Sequence, residues 1–189
     1  MDSILILFPK SAKLVGDSMI QTRDKGWIEC LSFRHGLSMQ LTKDMSNTRR
    51  TSGKPNVQEI IITKYMDKTS PLMYQLCCAG TAIKDKVVIE FAQIENNKYT
   101  PYMKYTLGDV IISSIYTALG EVVNSLPQAH ASIEGDTPIP TVSNRGDLPV
   151  ETISLSFNHI QWEWAVQANT GVSSGTTSGV WDVTKNLAK

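Results

Sequence analysis

The 189-residue chain is poor in the groups that usually carry chemistry. It has three cysteines (Cys30, Cys77, Cys78) and three histidines (His35, His130, His159). An odd cysteine count with an adjacent pair is no disulfide framework, and no C-x-x-C or Cys/His cluster offers a zinc site. The thiols are therefore expected to be reduced and mostly buried, with no metal and no cofactor. The histidines stand in separate segments. No serine or cysteine sits in a nucleophile elbow, and no glycine-rich loop precedes a helix to cradle phosphate. Glu29 and Glu163, both in strand-like segments, are the one carboxylate pair to weigh for acid–base work. Lone strand carboxylates are ordinarily solvated or ion-paired, so a hydrolase is the least favoured class.

Net charge is missing too. Eighteen basic and eighteen acidic side chains cancel, with a pI near 6.8, so bulk charge draws the chain neither to nucleic acid nor to an acidic membrane. No stretch approaches the roughly 20 apolar residues of a membrane-spanning helix, and no membrane insertion is expected. Met1-Asp2-Ser3 and the short apolar run to Phe8 lack the basic flank and length of a signal peptide. The expectation is synthesis in the cytoplasm, with any export by a route other than a cleaved signal. A hydrophobic fraction of 41% gives one domain enough apolar material for a core.

What is present centres on Thr48 to Pro71. Its first part, Thr48-Arg49-Arg50-Thr51-Ser52-Gly53-Lys54-Pro55-Asn56, is polar, basic and interrupted by Gly53 and Pro55, which predicts an irregular arm. Arg49, Arg50 and Lys54 lack the interleaved aromatics of a nucleic-acid surface, so a solvated or subunit-contacting loop is the better reading. Val57 to Met66, with three consecutive isoleucines, has strand composition. Ser70-Pro71 then opens a helix over Pro71 to Ala79, with Ser70 as the expected cap and Gly80 as the stop. Leu72, Leu76 and Ala79 form one stripe, with Met73 and Cys77 beside it. No charge stands between Lys68 and Lys84, so the helix is expected to be covered on more than one side.

The remaining elements are mostly strands. Ser3 to Phe8 is the first. Gly26 to His35 is the second, apolar on both faces and hence at least partly covered on both. Gly36 to Asn56 shows no periodicity, and about twenty structureless residues in a compact domain mark a functional or docked loop. Lys86 to Ile94 is a strand closed by the turn at Glu95–Lys98, and Tyr99 to Tyr116 is two strands or one bent at Gly108. In Glu151 to Val166 the apolar phase switches from Ile153, Leu155 and Phe157 to Ile160, Trp162, Trp164 and Val166. Such a switch at Asn158-His159 turns a strand around a corner. Residues 117–147 form a long excursion, and 168–189 read as a flexible tail rich in glycine, serine and threonine. The expected fold is mainly β: a small barrel of six to eight strands over residues 1–167, with one short helix and a long docking loop. Residues alone reach no further than a β-rich interaction or adaptor module.

Several stretches together resemble the Hcp (hemolysin co-regulated protein) family of the bacterial type VI secretion machine. They are D-K-G-W-I-E-C-L-S-F at Asp24–Phe33, R-T-S-G-K-P-N-V-Q-E at Arg50–Glu59 and T-K-Y-M-D-K-T-S-P at Thr63–Pro71. Two more are Y-M-K-Y-T-L-G-D-V-I-I-S-S at Tyr102–Ser114 and L-P-V-E-T-I-S-L-S-F-N-H-I-Q-W-E-W at Leu148–Trp164. They run in family order over most of the chain. The 117–147 excursion departs from the shorter family pattern, and His159 stands where lysine is more usual. The resemblance implies a non-enzymatic β-barrel that forms six-membered rings stacked into a tube, propelled with spike and sheath components into a target cell. Small effector proteins travel in the lumen. It implies that the arm, Thr48–Asn56, lies on the adjacent subunit. It also makes the helix residues Ser70, Pro71, Leu72, Met73, Tyr74 and Gln75 part of the ring wall.

Overall fold

A computed structural model describes residues 2–20, 26–40, 54–95, 98–119, 148–167 and 173–188. In chain order the elements are β1 (Asp2–Leu7), a 3-10 turn (Lys10–Ala12), β2 (Ile28–Cys30), β3 (Ser32–Arg34), β4 (Leu37–Ser38) and β5 (Asn56–Val57). Then follow β6 (Ile60–Tyr65), α1 (Ser70–Ala79), β7 (Val87–Glu95), β8 (Lys98–Gly108) and β9 (Ile111–Ala118). The last four are β10 (Val150–Ser156), β11 (His159–Gln167), β12 (Ser173–Asp182) and β13 (Leu187–Ala188). The described residues are thus mainly β with one helix.

Two antiparallel sheets wrap one core. The larger has the order β13-β12-β11-β8-β7-β1-β2 and the smaller β3-β6-β10-β9, while β4 and β5 pair as a separate two-stranded ribbon. Three corners carry the chain from one sheet to the other: Leu31 between β2 and β3, Asp109-Val110 between β8 and β9, and Phe157-Asn158 between β10 and β11. Asp109 takes a left-handed conformation at its corner, φ 52°. The phase switch read in the sequence is the third corner. Ile153 and Leu155 before it and Ile160 after it all point into the same core, and only a change of sheet lets odd and even positions do so. The strand expected over Gly26 to His35 is cut at Leu31 for the same reason; with such cuts, the β4–β5 ribbon, β12 and β13, the described residues hold thirteen strands where the sequence predicts six to eight.

The core gathers Ile6, Phe8, Leu14 and Ile28 from the N-terminal part with Ile60, Ile62, Met73, Val87, Ile89 and Leu107, closed by Ile153, Leu155 and Ile160. Residues 13–18 fold back along the start of β2, with the Gly16 N–H donating to the Gly26 carbonyl and the Ser18 N–H to that of Trp27, each at 3.0 Å. A Cβ at Gly16 would come within 2.1 Å of the Trp27 carbonyl oxygen, so only glycine fits this approach.

Two expectations need correction. Residues 36–56 are not structureless throughout: Leu37 pairs with Val57 and Ser38 with Asn56, so a short ribbon closes the base of the loop. Nor is 173–188 a flexible tail. β12 runs alongside β11 from His159↔Asp182 to Gln167↔Ser173, and β13 turns back on its end. Its glycines, serines and threonines bury little, but backbone pairing to a long neighbouring strand requires no buried side chain.

Candidate assembly surface

The helix α1 is fastened to the small sheet through charge rather than through apolar contact alone. Lys64 and Glu151 are directly opposite each other on β6 and β10, and both side chains are 0% exposed. Their position follows from strand phase: Ile60, Ile62 and Lys64 share one inward row, and Glu151, Ile153 and Leu155 another. A buried charge is tolerable only when every bond it can make is made. Lys64 Nζ lies 2.8 Å from Glu151 Oε2 and 3.0 Å from Asp67 Oδ1. It also donates to the Tyr65 carbonyl at 2.9 Å and to Ser70 Oγ at 3.2 Å. Ser70 donates in turn to Glu151 Oε2 at 2.7 Å, and Tyr74 donates to Glu151 Oε1. The Tyr74 hydroxyl also meets Thr117 Oγ1, 3.0 Å away at the end of β9. One ammonium and one carboxylate thereby bind the ends of β6, β9 and β10 to the first two turns of α1.

Ser70 is therefore not the cap expected from the sequence. Thr69 holds the N-cap position without a side-chain cap bond, and Ser70 lies inside the helix, buried. The turn is closed by Asp67 instead, whose Oδ1 accepts from the Thr69 N–H at 2.8 Å and from the Thr69 hydroxyl at 2.5 Å. Burial pushes the Asp67 carboxyl upward, but the bonds from Thr69 and Lys64 outweigh it and hold the group below its ordinary range. Cys30 shares this neighbourhood. Burial pushes its thiol up to about 12 against the opposing pull of Lys64, which makes it a packing group and not a nucleophile.

The predicted helix residues divide by face. Met73 is fully buried, Leu72 and Tyr74 are half-buried, and Pro71 and Gln75 are exposed. Together with Cys78 and Ala79 the exposed residues make an outer face without one charge. The expectation that α1 is covered on several sides is thus half met within one chain: one face lies on the core along β9, and the other is open. Of the arm, Thr48 to Gly53 lie outside the described residues. Lys54 is exposed, Pro55 is half-buried and Asn56 belongs to the β4–β5 ribbon.

Glu29 and Glu163 do not meet. Glu29 on β2 accepts from Ser18 Oγ at 2.7 Å, and Glu163 on β11 pairs with Lys104, with β8, β7 and β1 between the two strands. An open pocket of about 200 Å³ on the large sheet holds Glu90, Lys104 and Glu163 beside Tyr102 and Thr176. No histidine or cysteine lines it. Among the described residues no group of three or more His, Cys, Asp or Glu is placed to hold a metal ion. His130 lies outside the described residues, and His35 and His159 sit in different elements.

These features define a class: a small two-sheet β domain whose single helix is locked by a buried ion pair and shows a neutral face outward. The family profile described as "Type VI secretion system effector, Hcp" matches residues 8–164, and the chain belongs to that family. It is a structural subunit of the type VI secretion tube. Its fold is that of a solved type six secretion system protein, 21% identical over 100% of both chains with a TM-score of 0.74. Hcp1 from Salmonella typhimurium is also similar, at 21% identity over 100% of this chain and 99% of that one, TM-score 0.68. So is a type VI secretion system effector from Yersinia pestis, at 20% identity over 95% and 99%, TM-score 0.61. No curated protein sequence matches.

Lys64, Glu151, Asp67 and Thr117 carry no mark in the sequence that singles them out. The exception is period-2 phase for the first two, since each continues a row of inward isoleucines or leucines. Nothing in the sequence paired them across some ninety residues of chain.

Proposed function

We propose that this tube subunit closes into six-membered rings in which the neutral face of α1 and the arm at 48–56 meet the neighbouring subunit. The observation that carries this is the exposed, chargeless face of a helix that the Lys64–Glu151 pair holds in one orientation. A solvated helix face normally carries charge, and a rigid uncharged one favours a permanent partner surface. The ribbon β4–β5 gives the arm a fixed root, so a reaching segment starts from a defined place. Rings stack into the tube, small effector proteins ride in the lumen, and spike and sheath components act on the assembly. The subunit works without catalysis. It is made in the cytoplasm and leaves the cell with the machine.

A permanent interface of this kind buries more than about 2,000 Å² per pair. Light scattering on the purified chain at micromolar concentration should give the mass of six subunits, and a monomer there would refute the ring. Gln75→Glu with Cys78→Asp places charge on the open face. It should release folded monomers, because unpaired charges at an interface core are costly.

A further inference from the structure

The root of the arm contains a group that the assembly reading leaves unused. His35 follows β3 and directly precedes Gly36 and the ribbon strand β4. Its ring packs edge-on against two aromatics, Tyr105 of β8 at 6.0 Å and Phe157 of the β10–β11 corner at 5.8 Å between centroids. Its Nε2 is buried and has no hydrogen-bond partner among the described residues. The next residue ties down the ribbon: the Gly36 carbonyl accepts the Gln58 N–H at 3.0 Å, and the Gln58 side chain lies over Gly36, where a Cβ would meet it at 2.2 Å. We infer that His35 is an acid-sensitive catch, which as neutral imidazole seats the β4–β5 ribbon on the barrel and as imidazolium releases it.

The charges around it favour the neutral form. From β8 comes Tyr105, whose hydroxyl burial pushes upward, so it supplies no anion. From the β10–β11 corner comes Phe157, which cannot. On its own strand the neighbour is Arg34, a cation. Between β5 and β6 the one carboxylate is Glu59, which accepts from Ser113 Oγ at 2.7 Å. A proton on His35 would place a cation in a site walled by two uncharged aromatic rings, where its buried Nε2 finds no hydrogen-bond acceptor among the described residues. Burial holds the His35 pKa below its ordinary value. The neutral form is then required by the folded root and not by the unfolded one. The root is fully stable above about pH 6.5 and loses stability as pH falls from there toward the depressed folded value.

The link from ribbon to ring rests on the proposed arm contact, so the test separates the two. In the full chain, hydrogen exchange at the Gln58 amide, corrected for intrinsic rate, should lose protection several-fold, up to about eight-fold, between pH 7 and pH 5.5. The Ile153 amide should stay level. In His35→Phe both should stay level, and His35→Gln serves if phenylalanine does not fold. Light scattering over the same range should show wild-type rings dissociating and variant rings persisting. Protection lost without any ring at neutral pH would leave the catch standing and remove the ring. Equal pH profiles for wild type and both variants, or a His35 ring that titrates in NMR at the ordinary histidine value, would overturn the catch.

Discussion

Two polar clusters hold corners of this domain, and they are built to different tolerances. Around Lys64 and Glu151 both charges are 0% exposed and contacts of 2.7–3.2 Å surround them. Around His159, which joins the β8–β9 corner to the end of β12, the contacts are longer and wetter. Nδ1 stands 3.4 Å from the buried Asp182 and Nε2 stands 3.7 Å from Asp109, with the imidazole 36% exposed. The first cluster fixes the helix whose open face the proposed ring would use. The second only closes a turn, where Asp182 is independently held by the Thr184 hydroxyl and the Lys185 N–H. Where position matters, the chain uses a desolvated pair that fails if either partner is lost. Where it does not, a half-exposed imidazole suffices.

The comparison breaks most visibly at Lys64. Lys64→Met strands the Glu151 carboxylate in the core and should lower unfolding free energy by about 3–5 kcal/mol in urea titrations. The double variant Lys64→Met/Glu151→Leu should recover most of that loss. A double variant as unstable as the single would mean that packing, not the orphaned charge, sets the cost.

Asp67 comes next. Asp67→Ala removes the charged acceptor of the Thr69 bonds and should cost about 1.5–3 kcal/mol at pH 7. Because the folded pKa of Asp67 is lowered, its contribution is complete above the unfolded value near 3.9 and is lost as pH falls through the folded one. Denaturation measured from pH 5 downward should therefore steepen in the wild type relative to Asp67→Ala. Tyr74→Phe deletes one hydrogen bond to Glu151 while keeping the ring, for a loss of about 1 kcal/mol in thermal unfolding. The smallest change is His159→Lys. A permanent cation between Asp109 and Asp182 should add less than about 1 kcal/mol at low salt and nothing in strong salt. A gain that survives salt would show the corner to be as dry as the Lys64 site.

Much of the β organisation was legible because it is written in local periodicity. The helix at 70–79, the bend near Gly108 and the phase switch at 158 all appear as changes in apolar spacing, and each is an element end or a corner. The neutral stretch between Lys68 and Lys84 predicts a helix covered on more than one side, and within one chain only the face along β9 is covered. What stayed hidden depends on partners far away in the chain. Ser70 looks like a cap by type and place. Only the arrival of Glu151 and Lys64 at its hydroxyl shows why it sits one position further in. The composition of β12 is that of a linker and predicts a tail, and its order comes from β11, not from itself. The β4–β5 ribbon, two residues on each side, is too short to leave a period.

The separation of Lys64 from Glu151 also has a consequence for how the chain is born. Synthesis at roughly 5–20 residues per second puts several seconds between the two. Throughout that interval β6 exists as an Ile60-Ile61-Ile62 segment with its neighbour β10 still unmade. An isoleucine-rich strand with one edge left unpaired, β3 alone being available on the other, is the kind of segment that sticks to its copies. The ammonium of Lys64, two residues beyond Ile62 on the same row, keeps that segment hydrated until Glu151 appears to neutralise it. A residue that serves the finished fold as half of a buried pair is, in the nascent chain, a gatekeeper against premature association.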